Sequence, residues 1–75
     1  MNSKELGTII ATRRRHLGLD QRSLAEIAGV SVHALSNIES GKGNPTLSTL
    51  NAIADILGLE LGLEVRSRPQ DSGRA

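Results

Sequence analysis

Asp20-Gln-Arg-Ser-Leu-Ala-Glu-Ile-Ala-Gly29-Val-Ser31-Val-His-Ala-Leu-Ser-Asn-Ile-Glu-Ser-Gly41 is the stretch on which the fold turns. It spells two short helices joined by a tight turn. Asp20 is a good cap for a helix over Gln21 to Ala28, with Leu24, Ala25 and Ala28 as its inner face. Gly29 suits a turn with positive φ, and Val30 is placed to plug into the core. Ser31 caps a second helix, about Val32 to Ser40, with Leu35 and Ile38 pointing inward. Gly41 ends it. The second helix therefore keeps a thin apolar back and a small polar front.

That layout is a helix-turn-helix, in which one helix braces and the next enters the DNA major groove. The apolar positions leave Val32, His33, Ser36, Asn37 and Ser40 on the outward face at helical spacing. His33 and Asn37 stand one turn apart. An asparagine amide matches adenine N6 and N7, a histidine ring can meet a purine N7, and a valine can touch a thymine methyl. Val32, His33 and Asn37 are the base-reading candidates; the plainer alternative is an ordinary surface.

The flanks continue the helical pattern. A first helix is expected from about Ser3 to Leu17, with Ser3 as cap and Glu5 in the first turn. Leu6, Ile10 and Leu17 form its stripe, with Ile9 beside it. Gly7 inside that helix costs about 1 kcal/mol against alanine, which a close helix contact would explain. After a loop through Pro45, Thr46 caps a fourth helix running to about Leu57. Its inner residues are Leu47, Leu50, Ile53, Ala54 and Leu57. Gly58 stops it.

From Leu59 to Arg66 the period changes to two: Leu59, Leu61, Leu63 and Val65 alternate with Glu60, Gly62, Glu64 and Arg66. A lone strand leaves its backbone unpaired, so the expectation is a ribbon with the same strand of a second subunit. A frayed extension of the fourth helix, or an edge completed by another protein, are the alternatives. The expected fold is thus all-α, a small four-helix domain with a helix-turn-helix over residues 1–58. A dimerisation strand is expected over 59–66 and a disordered tail over 67–75.

Composition narrows the partners. A chain of 75 residues is one small domain with marginal stability, which a second subunit would help. With no cysteine, disulfides and thiolate zinc sites are excluded, which fits a reducing cytoplasm. No apolar run approaches the ~20 residues of a membrane span, and Met1 to Gly7 has no signal-peptide character. The net charge of +1 says little, but Arg13, Arg14, Arg15, Arg22 and Lys42 cluster in or beside the motif. A solvated basic helix face is the plainer reading of that cluster. The absence of aromatics argues against single-stranded nucleic acid, which is held by base stacking, and not against duplex DNA.

Catalysis is not expected. Gly41-Lys42 lacks a glycine five residues earlier, where Ser36 stands, and Gly43 replaces the Ser or Thr of a phosphate loop. His16 and His33 lie on different helices without ligand spacing, so neither metal nor cofactor is expected. No serine sits in a nucleophile elbow.

The run Leu6-Gly7, Ile10, Arg14, Gly18-Leu19, Gln21, Leu24-Ala25, Gly29-Val30-Ser31, Leu35-Ser36, Ile38-Glu39, Gly41, Pro45, Leu50, Ile53-Ala54, Leu57-Gly58 resembles the XRE family, the fold of phage Cro and repressor proteins. The resemblance implies a sequence-specific repressor of double-stranded DNA, acting as a homodimer on an inverted-repeat operator in the bacterial cytoplasm or nucleoid. It implies that Gln21 holds a phosphate at the start of the second helix and that Lys42 and Asn44 form a second phosphate clamp. Ser31 and Ser36 can add hydroxyls and Arg22 a charge. It also implies a structural salt bridge between Arg14 and Glu39. Arg13 departs from the family, which often has an apolar residue there; its stem can lie over the core. The Leu-x-Leu-x-Leu-x-Val ending is similar to HipB-type antitoxins, which implies autoregulation and a HipA-like kinase toxin as partner. A stand-alone regulator without a toxin, or a mainly protein-binding module, are the alternatives.

Overall fold

The computed structural model describes residues 1–63. Four helices follow one another: α1 (Ser3–His16), α2 (Gln21–Ala28), α3 (Val32–Glu39) and α4 (Leu47–Leu57). α1 packs on α3 and α4, and α2 packs on the same two helices. Leu24, Leu35, Ile53 and Leu57 sit at the centre, fully buried, with Ile10, Ala25 and Ile38 around them. Leu6, Leu19, Val30, Leu50 and Leu59 close the periphery. Burying such side chains contributes about 1.5–3 kcal/mol each, which makes this cluster the main source of stability.

Local chemistry starts each helix. The side chains of Asp20, Ser31 and Thr46 accept the backbone N–H three residues on, at Ser23, Ala34 and Thr49. α1 is capped by Asn2, not Ser3: Asn2 Oδ1 accepts Glu5 N–H at 2.8 Å, and Ser3 is already helical. Asn and Ser are comparable caps, and the one placed three residues before a free amide takes the role. Between α2 and α3 the chain turns at Gly29, with φ 73°. That left-handed conformation lets Val30 N–H bond Ala25 O at 2.9 Å and sends Val30 back onto the core.

Several expectations at the periphery need correcting. Leu17 is the C-cap of α1 and is exposed, because the chain leaves the helix there before Leu17 can continue the stripe. Ile9 is also exposed beside that stripe. Leu47, expected inside, is 67% exposed: it is the first residue of α4, beyond the reach of the core its helix covers later. Residues 59–63 form no strand. Leu59 N–H bonds Ala54 O at 2.9 Å and its side chain meets the core, whereas Leu61 and Leu63 are exposed. An alternating pattern says which side is apolar but supplies no pairing partner, and a single chain offers none here. Val65 and the 67–75 tail lie outside the described residues.

Gly7 is where α1 and α3 touch. A Cβ there would overlap the backbone oxygen of Ile38 and lie 2.6 Å from that of Glu39. Gly7→Ala should destabilise the domain by about 1–3 kcal/mol through overpacking, roughly 4–8 °C of Tm per kcal/mol. Gly62→Ala, where a Cβ meets nothing within 4 Å, should leave Tm unchanged in the same calorimetric scan. Equal Tm values for both variants would show that the helices do not meet this closely in solution.

The Asp20 cap carries a pH dependence. The backbone N–H of Ser23, with its hydroxyl, holds the Asp20 carboxyl below its ordinary value. A depressed folded-state pKa means that its contribution is present above the unfolded value and is lost as pH falls through the folded one. Urea titrations between neutral and acidic pH should show a smaller loss for Asp20→Asn, because Asn caps without titrating.

Candidate nucleic-acid interface

The interface begins with the two sides of α3. Its eight residues bury Leu35 and Ile38 and turn the opposite side outward. Val32 is 40% exposed at the first turn, an apolar side chain that the core does not use. His33 is exposed and Asn37 half exposed one turn later. Their side chains meet, Asn37 Nδ2 lying 3.3 Å from His33 Nε2. Ser36 is half buried on the same helix.

Beyond α3 the chain folds back along it. Lys42 N–H bonds Asn37 O at 2.8 Å, and Ser40 Oγ donates to the same carbonyl at 3.1 Å. This return forms a shallow cleft lined by Asn37, Lys42, Asn44, Pro45, Thr46 and Thr49, among others. It joins a base-reading candidate to both members of the expected second clamp, at the capped start of α4. Lys42 and Asn44 are exposed at its rim. At the other end, Arg22 is exposed in the first turn of α2, and Ser31 spends its acceptor on Ala34 N–H while its hydroxyl hydrogen stays available.

A buried polar network sets the angle of α3. Arg14 Nε donates to Glu39 Oε2 at 2.7 Å and Nη2 to Oε1 at 3.1 Å, with side-chain exposures of 10% and 6%. Arg14 Nη1 donates to Leu19 O at 2.7 Å. Gln21 Nε2 donates to Glu39 Oε1 at 3.0 Å. One carboxylate at the end of α3 therefore collects donors from α1 and from the first residue of α2. The hydrogen bond to Glu39 raises the Arg14 pKa further above its ordinary value, against the opposing effect of burial, so the guanidinium stays charged. Gln21 thus has an internal partner for one amide N–H, and on its side chain only the second N–H is left to donate to a phosphate.

The arginine run divides in three. Arg14 is buried in the network, and Arg13 Nε donates to Leu57 O at 2.8 Å, capping the end of α4. Only Arg15 is exposed. The cap by Arg13 is the functional detail that sequence reasoning missed. Its signal was there in Gly58: a helix ending in glycine leaves late carbonyls that a nearby cation can satisfy. Among the described residues, no three His, Asp or Glu side chains converge as metal ligands would.

Two capped eight-residue helices, a glycine turn and an outward polar face make this a helix-turn-helix domain. A helix-turn-helix family profile matches residues 10–63. The ImmF control region 10 kDa protein of Bacillus phage phi105 is 35% identical over 63 residues, 84% of this chain and 70% of that protein. The HTH-type transcriptional regulator PuuR of Escherichia coli K12 is 38% identical over 64 residues, 85% of this chain but only 34% of that longer protein. The crystal structure of the restriction-modification controller protein C.AhdI from Aeromonas hydrophila superposes with a TM-score of 0.72. It is 26% identical, over 76% of this chain and 86% of that one. The chain belongs to the XRE-type helix-turn-helix family.

Breaking one side of a buried ion pair costs about 3–5 kcal/mol, because the remaining charge is stranded. A whole domain of ordinary stability has about 5–15 kcal/mol, so Arg14→Ala should lose a large share of its stability and melt well below the wild type by circular dichroism. An unchanged melting curve would show that the network carries no weight.

Proposed function

We propose that this chain is a sequence-specific repressor of transcription that binds duplex DNA through α3. The observation that carries this reading is the outward set Val32, His33 and Asn37 beside the cleft that holds Lys42 and Asn44. In this reading Val32 meets a thymine methyl, Asn37 an adenine edge and His33 a purine N7. The starts of α2 and α3 meet phosphates through free amides, with Gln21, Arg22, Ser31 and Ser36 contributing. Lys42 and Asn44 hold a second phosphate. Occupying promoter DNA is enough to exclude polymerase, so no catalytic step and no cofactor belong to the proposal.

The finer parts of the proposal are a homodimer on an inverted repeat, autoregulation in the bacterial cytoplasm, and service as antitoxin to a HipA-like kinase. In such a homodimer two recognition helices read half-sites about 34–36 Å apart. The antitoxin role rests on the Leu59, Leu61, Leu63, Val65 alternation, a short apolar segment suited to a protein edge. A stand-alone regulator needs only the helix-turn-helix. Co-purification of a kinase encoded next door would favour the antitoxin role, and its absence from the locus would remove it.

Fluorescence anisotropy with the DNA upstream of the gene, against a shuffled duplex, tests the main reading. Preference should be about a thousandfold or more. Asn37→Ala should cost about 1–3 kcal/mol on the preferred duplex and relax its base choice, whereas Lys42→Ala should weaken both duplexes alike and lower the salt slope by about one. An equal loss for Asn37→Ala on both duplexes would end its assignment as a base reader.

A further inference from the structure

The contact between Asn37 and His33 carries more than two separate base readers. A carboxamide has one acceptor oxygen and a nitrogen with two diverging hydrogens. With Nδ2 lying 3.3 Å from His33 Nε2, a neutral ring protonated on Nδ1 accepts one of those hydrogens. What the amide then turns outward is one N–H and one C=O, side by side. That pair is the complement of adenine N7 and N6, and it is the wrong pair for guanine, which offers two acceptors.

Protonating the ring reverses the contact. Both imidazolium nitrogens donate, so Nε2 no longer accepts and the Asn37 oxygen must turn towards it. The outward group becomes an NH₂ with two donors, which a guanine O6 and N7 can share, as they share the single nitrogen of a lysine. We propose that His33 is the positioning residue that sets the base specificity of Asn37, giving adenine when the ring is neutral and guanine when it is protonated. The inference rests on the reading of α3 as the recognition helix.

The surroundings leave this exchange to the two side chains. His33 forms no ion pair among the described residues. On its own helix the one charged residue is Glu39, committed to Arg14 of α1 at the far end. The elements packed on α3 bring Arg22 and Glu26 on α2, and Lys4, Glu5, Arg13, Arg15 and His16 besides Arg14 on α1; Lys42 follows α3. The His33 partner given by the fold is the Asn37 amide. Imidazole side chains as a class change charge between pH 5 and 8, so binding compared at the two ends of that range distinguishes the two arrangements.

The test is selection from a randomised duplex library with the full chain, sequenced after binding at about pH 8 and at about pH 5.5. Wild type should enrich adenine at one position at the higher pH. The adenine-to-guanine ratio at that position should fall about tenfold at the lower pH, the order of discrimination in one bidentate amide–base contact. His33→Ala should bind more weakly, and the duplexes it retains should show a ratio near one that pH does not move. Asn37→Ala should lose the preference there in both conditions. A preference that needs Asn37 but is untouched by pH and by His33→Ala overturns this inference and leaves the repressor reading standing. No enriched position at all in wild type overturns both.

Discussion

The carboxylate of Glu39 is the point to which three helices are tied. It takes two hydrogen bonds from Arg14 on α1 and one from Gln21 on α2, while itself ending α3. A buried ion pair is a poor source of net stability against an apolar pair of the same volume, since both charges lose their water. It is an effective locator, because any displacement leaves a buried charge without its partner. Gly7 makes the arrangement possible by letting α1 approach the α3 backbone closer than a Cβ would allow. The direction in which α3 presents His33 and Asn37 follows from these two constraints.

The domain meets its core and its surface with very few residues. α3 has eight, and two of them, Leu35 and Ile38, join it to the core. Everything else on that helix is available for recognition or for fixing its angle. Because the core contacts lie on one side only, outward residues can vary chemically with little effect on folding. Family members of the same fold can therefore read different DNA.

Charge is distributed less generously than the sequence suggests. Three consecutive arginines look like a phosphate-binding patch, yet Arg14 is consumed by Glu39 and Arg13 by the end of α4. Of Arg13, Arg14, Arg15, Arg22 and Lys42, those left exposed are Arg15, Arg22 and Lys42. With a net charge of +1, long-range steering contributes little, and the proposed DNA binding relies on short-range contacts at helix starts and at the cleft.

What the residues alone determined was everything local. A cap is decided by a side chain and an amide three residues away, so Asp20, Ser31 and Thr46 marked the starts of α2, α3 and α4 in advance. The glycine turn and the inward faces of α2 and α3 follow from φ preferences and a period of 3.6, which need no knowledge of the rest of the chain. Tertiary structure decided what depends on a distant neighbour. Leu47 has the pattern of an inner residue, but α4 is too far from the core at that end to cover it. Leu59 to Leu63 has the pattern of a strand, but pairing needs a second edge that this chain does not contain among its described residues. Arg13 and Arg14 are adjacent and alike in sequence. One caps α4 and the other locks α3, because a helix turns each successive residue by about 100° and so gives neighbours different partners.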